Sequence, residues 1–303
     1  MNRHLESIFQ DFEHYITNVD YKHPDRFKQT FLEKINHIVT SIEKEPDKEK
    51  YQDRFFEICS KLEPSIMHRR ARQKPLGYPG DYLIIDWIYT HKTAESGIGK
   101  FYDELFHSYQ AARSVLNRKE YFIQKCSDLV QSRHGRIDVL SLGCGSCRDI
   151  METYQELNDG AHLHFDGIDH ESEAIDYASH LIKELPFHKN IHLSHTNVLR
   201  LKTEKKYDLI WSAGLFDYLK DGLAIMLLKK MWNALKQDGM IIFGNFSPSY
   251  PERDGMEFAV RWKLIHRNVH DLVNLCNKAD IPFSELEVDN EPLGINLFCV
   301  IKK

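Results

Sequence analysis

The stretch Ile137-Asp138-Val139-Leu140-Ser141-Leu142-Gly143-Cys144-Gly145-Ser146-Cys147-Arg148-Asp149 limits the fold more than any other part of the chain. A short run rich in apolar residues ends in Gly-x-Gly, and helix-compatible sequence follows from Arg148. This reads as a buried parallel strand that turns sharply into a helix. Gly143 turns the chain without a Cβ clash, and Gly145 lets the main chain approach a ligand closely. The helix that follows points its free N–H groups and its positive dipole end at the same spot. Many nucleotide-binding folds open in this way.

The next β-α unit sharpens the reading. Leu163 to Ile168 is a second strand, and Asp169 stands at its end. A carboxylate at that tip is placed to accept hydrogen bonds from both ribose hydroxyls of a nucleoside. The third glycine of a dinucleotide fingerprint is missing. Asp149 occupies its approximate place, which argues against a pyrophosphate ligand. Further strands are expected at Ile191–Ser194, Tyr207–Ser212 and Met240–Phe246. Phe283–Val288 and Ile295–Ile301 form a closing pair around the turn Asn290-Glu291-Pro292-Leu293-Gly294. Helices are expected over Met151–Leu157, over Ser172–Leu185 with Ser172 as N-cap, and over Leu223–Leu235, stopped by Gly239.

The 303 residues, 42% of them hydrophobic, suffice for two modest domains or one large one. The net charge of −5, with no basic stripe, disfavours a nucleic-acid partner. The first residues lack a signal-peptide core, and no apolar run is long enough to span a bilayer. A cytoplasmic protein without stable membrane insertion is expected, acting on a small molecule. Six cysteines are scattered along the chain. Cys144-x-x-Cys147 lies inside the glycine loop and has no second ligand pair, so small residues filling a loop explain it better than zinc or redox chemistry. None of the 17 histidines forms a convincing metal-ligand pair.

Residues 1–130 read as helical. Leu5, Ile8, Phe9, Phe12 and Ile16 recur at helical spacing, as do Phe27, Phe31, Ile35 and Ile38. Glu45-Pro46-Asp47 breaks the second helix, and another runs from Lys48 to Leu62. The segment then changes character at Arg69–Tyr82. Four basic residues precede the turn Gly77-Tyr78-Pro79-Gly80-Asp81-Tyr82, which is followed by a strongly apolar helix. A solvated loop explains this pattern as well as chemistry does, but the bunched polar groups make Tyr78, Asp81 and Tyr82 candidate catalytic residues. In the next helix Arg113, Asn117, Glu120 and Tyr121 share one face. That helix leads straight into the first strand, so Arg113 and Asn117 join the candidates.

Gly143-x-Gly145 together with Asp169 resembles the class I S-adenosylmethionine-dependent methyltransferases. The resemblance implies a Rossmann-like sheet of seven strands, the last antiparallel, with S-adenosyl-L-methionine as cofactor. An all-helical domain over residues 1–130 is expected to act as lid and substrate wall, because the C-terminal edge of the sheet leaves the methyl side open, and residues 131–303 to form the catalytic domain. The resemblance places the cofactor against Gly143, Cys144, Gly145 and Ser146, the ribose at Asp169 and His170, and the adenine at Asn197 and Val198. Ser212, Ala213 and Gly214 complete that set. Asn197 stands where many members carry Asp. Lys74-Pro75-x-Gly77-Tyr78-x-Gly80-Asp81-Tyr82, Asn117-Arg118, Gly214-Leu215-Phe216-Asp217-Tyr218-Leu219, Gly244-Asn245-Phe246, Met256-Glu257, Trp262 and Arg267 narrow the resemblance. They are similar to a bacterial group associated with extracellular-factor, or 3-hydroxypalmitic acid methyl ester, biosynthesis. The similarity covers about residues 65 to 303. It implies methylation of the carboxylate of a 3-hydroxy fatty acid or similar acid.

Methyl transfer from a sulfonium is an in-line displacement, so the protein mainly aligns the reacting atoms and excludes water. A carboxylate nucleophile is already ionised at neutral pH and needs a donor or cation to position it. Arg113, Arg118, Tyr78, Tyr82 and Arg267 are available for that. A hydroxyl or amine would want a base, such as Asp81 or Asp217. An N-methyltransferase or other transferase acting on a small amine is thus a second reading, and a non-catalytic cofactor-binding protein a third.

Overall fold

A computed structural model describes residues 2–157 and 162–303. The chain forms two compact units, residues 1–113 with 249–263, and residues 114–248 with 264–303. The division falls at 113 rather than near 130, and a late segment returns to the first unit. Arg72 helps hold that segment, donating through Nη1 to the Ala259 carbonyl (2.6 Å) and through Nε to Glu63 (2.8 Å).

The first unit contains α1 (Arg3–Thr17), α2 (Pro24–Ile42), α3 (Lys48–Ile58), α4 (Ile66–Gln73), α5 (Tyr82–Tyr89) and α6 (Gly97–His107). The expected stripes are its core. Leu5, Phe9, Phe12 and Ile16 of α1 are buried, with Phe27, Phe31, Ile35 and Ile38 of α2. The Phe12 ring lies 5.7 Å from Phe31 and 5.3 Å from Phe55. Helix α3 stops at Ile58, and Cys59–Leu62 tightens into a 3₁₀ turn where a continuous helix was expected.

The second unit is built on a sheet and begins just inside α7 (Gln110–Ser132). It continues through β1 (Ile137–Leu142), α8 (Arg148–Glu156), β2 (Leu163–Asp169), α9 (Ser172–Ile182), β3 (Ile191–His195) and β4 (Tyr207–Ser212). There follow α10 (Asp221–Asn233), β5 (Leu235–Phe246), α11 (Val269–Ala279), β6 (Glu285–Asn290) and β7 (Asn296–Lys302). The strand order is β3-β2-β1-β4-β5-β7-β6. Strands β1 to β5 pair parallel, and β7 runs antiparallel to both β5 and β6. The seven-stranded Rossmann-like sheet with its antiparallel last strand is therefore present. Each face of the sheet has its own core. Leu140 and Leu142 pack with Leu227 and Leu228 of α10 and Leu272 and Leu275 of α11. Val139 and Trp211 pack with Phe122 of α7, Ile150 of α8 and Ala178 of α9.

Several expected boundaries move: β6 lies at Glu285–Asn290 rather than Phe283–Val288, α9 ends at Ile182 rather than Leu185, and two further shifts have a local cause. Ser172 is the first residue of α9, and Glu171 precedes it as N-cap without a side-chain hydrogen bond. Helix α10 ends at Asn233, because Leu235 is buried and pairs with Tyr207 as the start of β5. The left-handed φ of 61° at Asp238 accommodates the register shift, after which Met240 pairs with Leu209.

Candidate functional site

The C-terminal tips of β1, β2 and β3 gather the residues expected to hold a nucleoside. Gly143 and Gly145 both have left-handed φ, at 68° and 54°, so the loop after β1 needs residues without Cβ atoms there. The amides of Gly143 and Cys144 donate to the Ile168 carbonyl at 2.8 and 3.1 Å, tying the loop to β2. Asp169 completes the tie. Its Oδ2 accepts from the Gly145 amide (2.9 Å) and its Oδ1 from the Glu171 amide (3.0 Å). An ionised carboxylate has roughly four lone-pair sites, so about two stay open for ribose hydroxyls. His170 stands beside it, with Nδ1 at 3.4 Å from Oδ1. Asn197 is exposed, and its Oδ1 accepts from the Leu199 amide. Val198 is buried in the core beneath it.

Ser212 sits at the tip of β4, but its hydroxyl is fully buried and donates to the Leu142 carbonyl (3.1 Å). The side chain of Ser212 therefore joins β4 to β1, and the half-buried Ala213 and Gly214 are the residues a ligand can reach. Cys144 and Cys147 are buried free thiols. A hydrogen bond donated to Cys147 and burial together hold the Cys144 thiol well above its ordinary range, so Cys144 is not primed as a thiolate.

Asn117 has a partner of its own. Its Nδ2 donates to Glu291 Oε2 (2.7 Å). Glu291 is buried and also accepts from the amides of Leu293 and Ile295 at 2.9 and 2.8 Å. Along the same face of α7, Ser114 accepts from Asn296 (2.9 Å) and Tyr121 donates to Asp289 (3.0 Å). The Tyr121 ring stacks on Phe298 at 4.0 Å. The spacing 114, 117, 121 thus joins α7 to the β6–β7 hairpin, which is a structural task. Glu291 was not singled out from the sequence. The Pro/Gly-punctuated turn that holds it was the available signal.

The tips of β4 and β5 carry a buried charge cluster. Arg118 of α7 lies against Gly214, where a Cβ would come within 2.8 Å of Nη1. Its positive charge lowers the pKa values of both Asp149 and Asp217. Asp217 lies in the 3₁₀ turn Phe216–Tyr218, and its Oδ1 accepts from the Phe246 amide at the end of β5 (2.7 Å). Burial nevertheless pushes its carboxyl up to about 7, against the Phe246 amide, Arg118 and Arg267. Burial pushes Asp149 up to about 6, against the Ile150 amide and Arg118. Arg267 was a candidate for holding substrate, but both terminal nitrogens of its guanidinium are engaged. Nη1 donates to the Phe216 carbonyl and Asn245, and Nη2 to the Leu219 carbonyl and Asp221, all within 2.9 Å.

The raised carboxyls make stability depend on pH. Between about pH 4 and about pH 7 the folded chain keeps the Asp217 proton that the unfolded chain loses, so raising the pH destabilises the fold through that window. Wild-type unfolding free energy is expected to fall by roughly 2–4 kcal/mol across it, with Asp149 contributing below about pH 6. Asp217→Asn should flatten most of this decline in denaturant titrations at successive pH values. An equally steep decline in the variant would contradict the assignment.

The remaining candidates lie in the first unit. Asp81 is fully buried and caps α5. Its Oδ1 accepts from the amides of Leu83 and Ile84, both at 3.1 Å, and from Arg70 Nε (2.8 Å). Its Oδ2 is buried without a hydrogen-bond partner among the described residues. Tyr78 and Tyr82 are half-buried, and Arg113 is exposed.

Residues 133–280 match the model of a family described as a methyltransferase domain. A malonyl-[acyl-carrier protein] O-methyltransferase of Bacillus anthracis is 27% identical over 142 residues, which cover 46% of this chain and 48% of that protein. The chain thus spans about half the length of the curated relative it matches. Among solved structures, a possible exported protein of Bordetella parapertussis is similar with a TM-score of 0.61 and 18% identity, covering 86% of this chain and 99% of that one. The S-adenosylmethionine-dependent methyltransferase SibL is similar with a TM-score of 0.51 and 16% identity, covering 79% of this chain and 69% of that one. At these identities the structural likeness speaks to fold. The match over residues 133–280 and the strand order agree on a class I methyltransferase fold.

Proposed function

We propose that this methyltransferase moves the methyl group of S-adenosylmethionine to an oxygen of a small organic acid, with the carboxylate of a 3-hydroxy fatty acid or similar acid as the leading acceptor. When bound, the cofactor supplies an electrophilic methyl on a sulfonium. The observation that carries the reading is the joining of the glycine loop to Asp169 through the Gly145 amide. This loop brings its main chain close beside a carboxylate with open lone pairs, which suits a nucleoside carrying no pyrophosphate. The buried cation Arg118 at the β4 tip favours an anionic acceptor. The curated relative acts on an acyl-carrier-bound malonyl group, as its name states, which also favours an acid oxygen.

The test is transfer of labelled methyl from S-adenosylmethionine to a panel of fatty and 3-hydroxy fatty acids, with small amines alongside. Methyl ester formation supports the proposal. Label appearing only in amines would favour N-methylation, and cofactor binding without transfer to any compound or to a cell extract would favour a non-catalytic protein. Tyr78 is proposed to donate a hydrogen bond during the reaction. Tyr78→Phe should then lower turnover by up to roughly 100-fold while leaving the melting temperature in place. A loss of melting temperature with turnover retained per folded molecule would make the turn structural.

A further inference from the structure

We infer that Asp217 is the residue that receives a hydroxyl group of the methyl acceptor, through its second carboxylate oxygen. The inference rests on the acid-methylation reading above and adds to it the residue that selects a hydroxylated acid over a plain one.

Asp217 is placed for this by the sheet. The loop after β1 and the tips of β2 and β3 take the nucleoside, so the acceptor belongs on the other side of the switch between β1 and β4, at the tips of β4 and β5. Asp217 spans those two tips. Its turn follows β4, and its Oδ1 holds the Phe246 amide at the end of β5. The turn is fixed from outside by Arg267, which binds the Phe216 and Leu219 carbonyls on either side of it. The Asp217 carbonyl accepts from the Ile265 amide (2.7 Å). Such a side chain has little freedom to swing away.

No described residue donates to Oδ2. A carboxylate oxygen left open in a nearly buried residue calls for a donor. The carboxylate of an acid substrate has no proton to donate at neutral pH. Once Asp217 is ionised, above about pH 7, the donor must come from elsewhere on the acceptor, and a hydroxyl near the carboxyl end is the group that fits. The charged groups acting on Asp217 are Arg118 and Arg267, both cationic. They favour the carboxylate as hydrogen-bond acceptor, while burial keeps its proton within reach of neutral pH.

The variant that tests this is Asp217→Asn. The amide oxygen can still accept from Phe246, but the position of Oδ2 becomes an N–H₂ donor. Binding of S-adenosylhomocysteine is measured first by calorimetry. It should stay within about threefold of wild type, since Asp217 lies off the nucleoside side, and a loss above tenfold would place Asp217 in the cofactor cradle and overturn the proposal. Methyl transfer to 3-hydroxyhexadecanoic and hexadecanoic acids is then compared. Wild type should prefer the hydroxy acid by tenfold or more in kcat/KM, through KM, and Asp217→Asn should bring the two acids within about twofold. Equal use of both acids by wild type, or a preference unchanged in the variant, sinks the assignment. If wild type methylates neither acid but labels a compound in cell extract, the acid reading fails by itself. The labelled product is then treated with acetic anhydride, and absence of any acetylated hydroxyl overturns the role of Asp217. If nothing is labelled, both readings fall.

Discussion

Asp169→Ala is expected to weaken S-adenosylhomocysteine binding about 100-fold, or roughly 2.7 kcal/mol, in a chain that still folds. Loss of the ribose contact alone costs roughly 1.5–3 kcal/mol, as for a hydrogen bond to a charged group. The structure adds a second loss. Asp169 is also the acceptor for the Gly145 and Glu171 amides, so its removal leaves the glycine loop held to β2 only through the Ile168 carbonyl. Asp169→Asn separates the two effects. An amide oxygen can hold one of the main-chain amides, but the N–H₂ group cannot accept, so an intermediate loss is expected. Calorimetry on both variants reads the result. Unchanged affinity in a folded Asp169→Ala protein would remove Asp169 from the cofactor site.

The first and fourth strands were legible in the sequence because the physics there is local. A strand that is buried on both faces leaves a continuous apolar run, and Gly143 and Gly145 mark positive φ directly. Strands β1 and β4 accordingly begin and end at the expected residues. Where tertiary contacts decide, the pattern misleads. Leu235 carries the helical period of α10, yet its place in the sheet opposite Tyr207 draws it into β5. Ser172 is a good capping residue one position too late.

The roles of polar side chains were less legible, because residue type does not say which partner is near. Asn117 lies on an expected helix face, and its partner Glu291 is far along the chain in the β6–β7 turn. Ser212 stands at the tip of a strand, as a ligand contact would, but donates across to β1. Asp81 looks like a functional carboxylate in a turn, and the structure shows the simpler property that it caps the helix it precedes. The local signature Asp followed by an apolar run is that of an N-cap. Arg118 and Asp217 could only be named as available charges. Their nearness to each other follows from β4 and α7 lying together, which no single stretch reveals.

The largest loss of stability is expected at Arg267. Arg267→Ala should lower the unfolding free energy by roughly 3–5 kcal/mol, read as a shift of the denaturant midpoint. The residue is buried, and its guanidinium donates to two main-chain carbonyls, to Asn245 and to Asp221. Alanine leaves Asn245 Oδ1 without its donor and the Phe216 carbonyl with only the longer bond from the Leu219 amide (3.3 Å), and buried unsatisfied acceptors are costly. Asn245 is itself fully buried and also donates to the Ile265 carbonyl, so the loss spreads to the segment entering α11. Arg267→Lys should recover less than half of the stability, because a single ammonium cannot reproduce the planar fork that reaches four acceptors. Removing this cation also raises the Asp217 pKa further, so the variant's stability should fall with pH over a window extending above pH 7. The result that would defeat this account is a protein of wild-type denaturant midpoint with lost turnover. That outcome would mean the guanidinium is released to substrate during the reaction, as the sequence alone allowed, and that the four contacts contribute little to the fold.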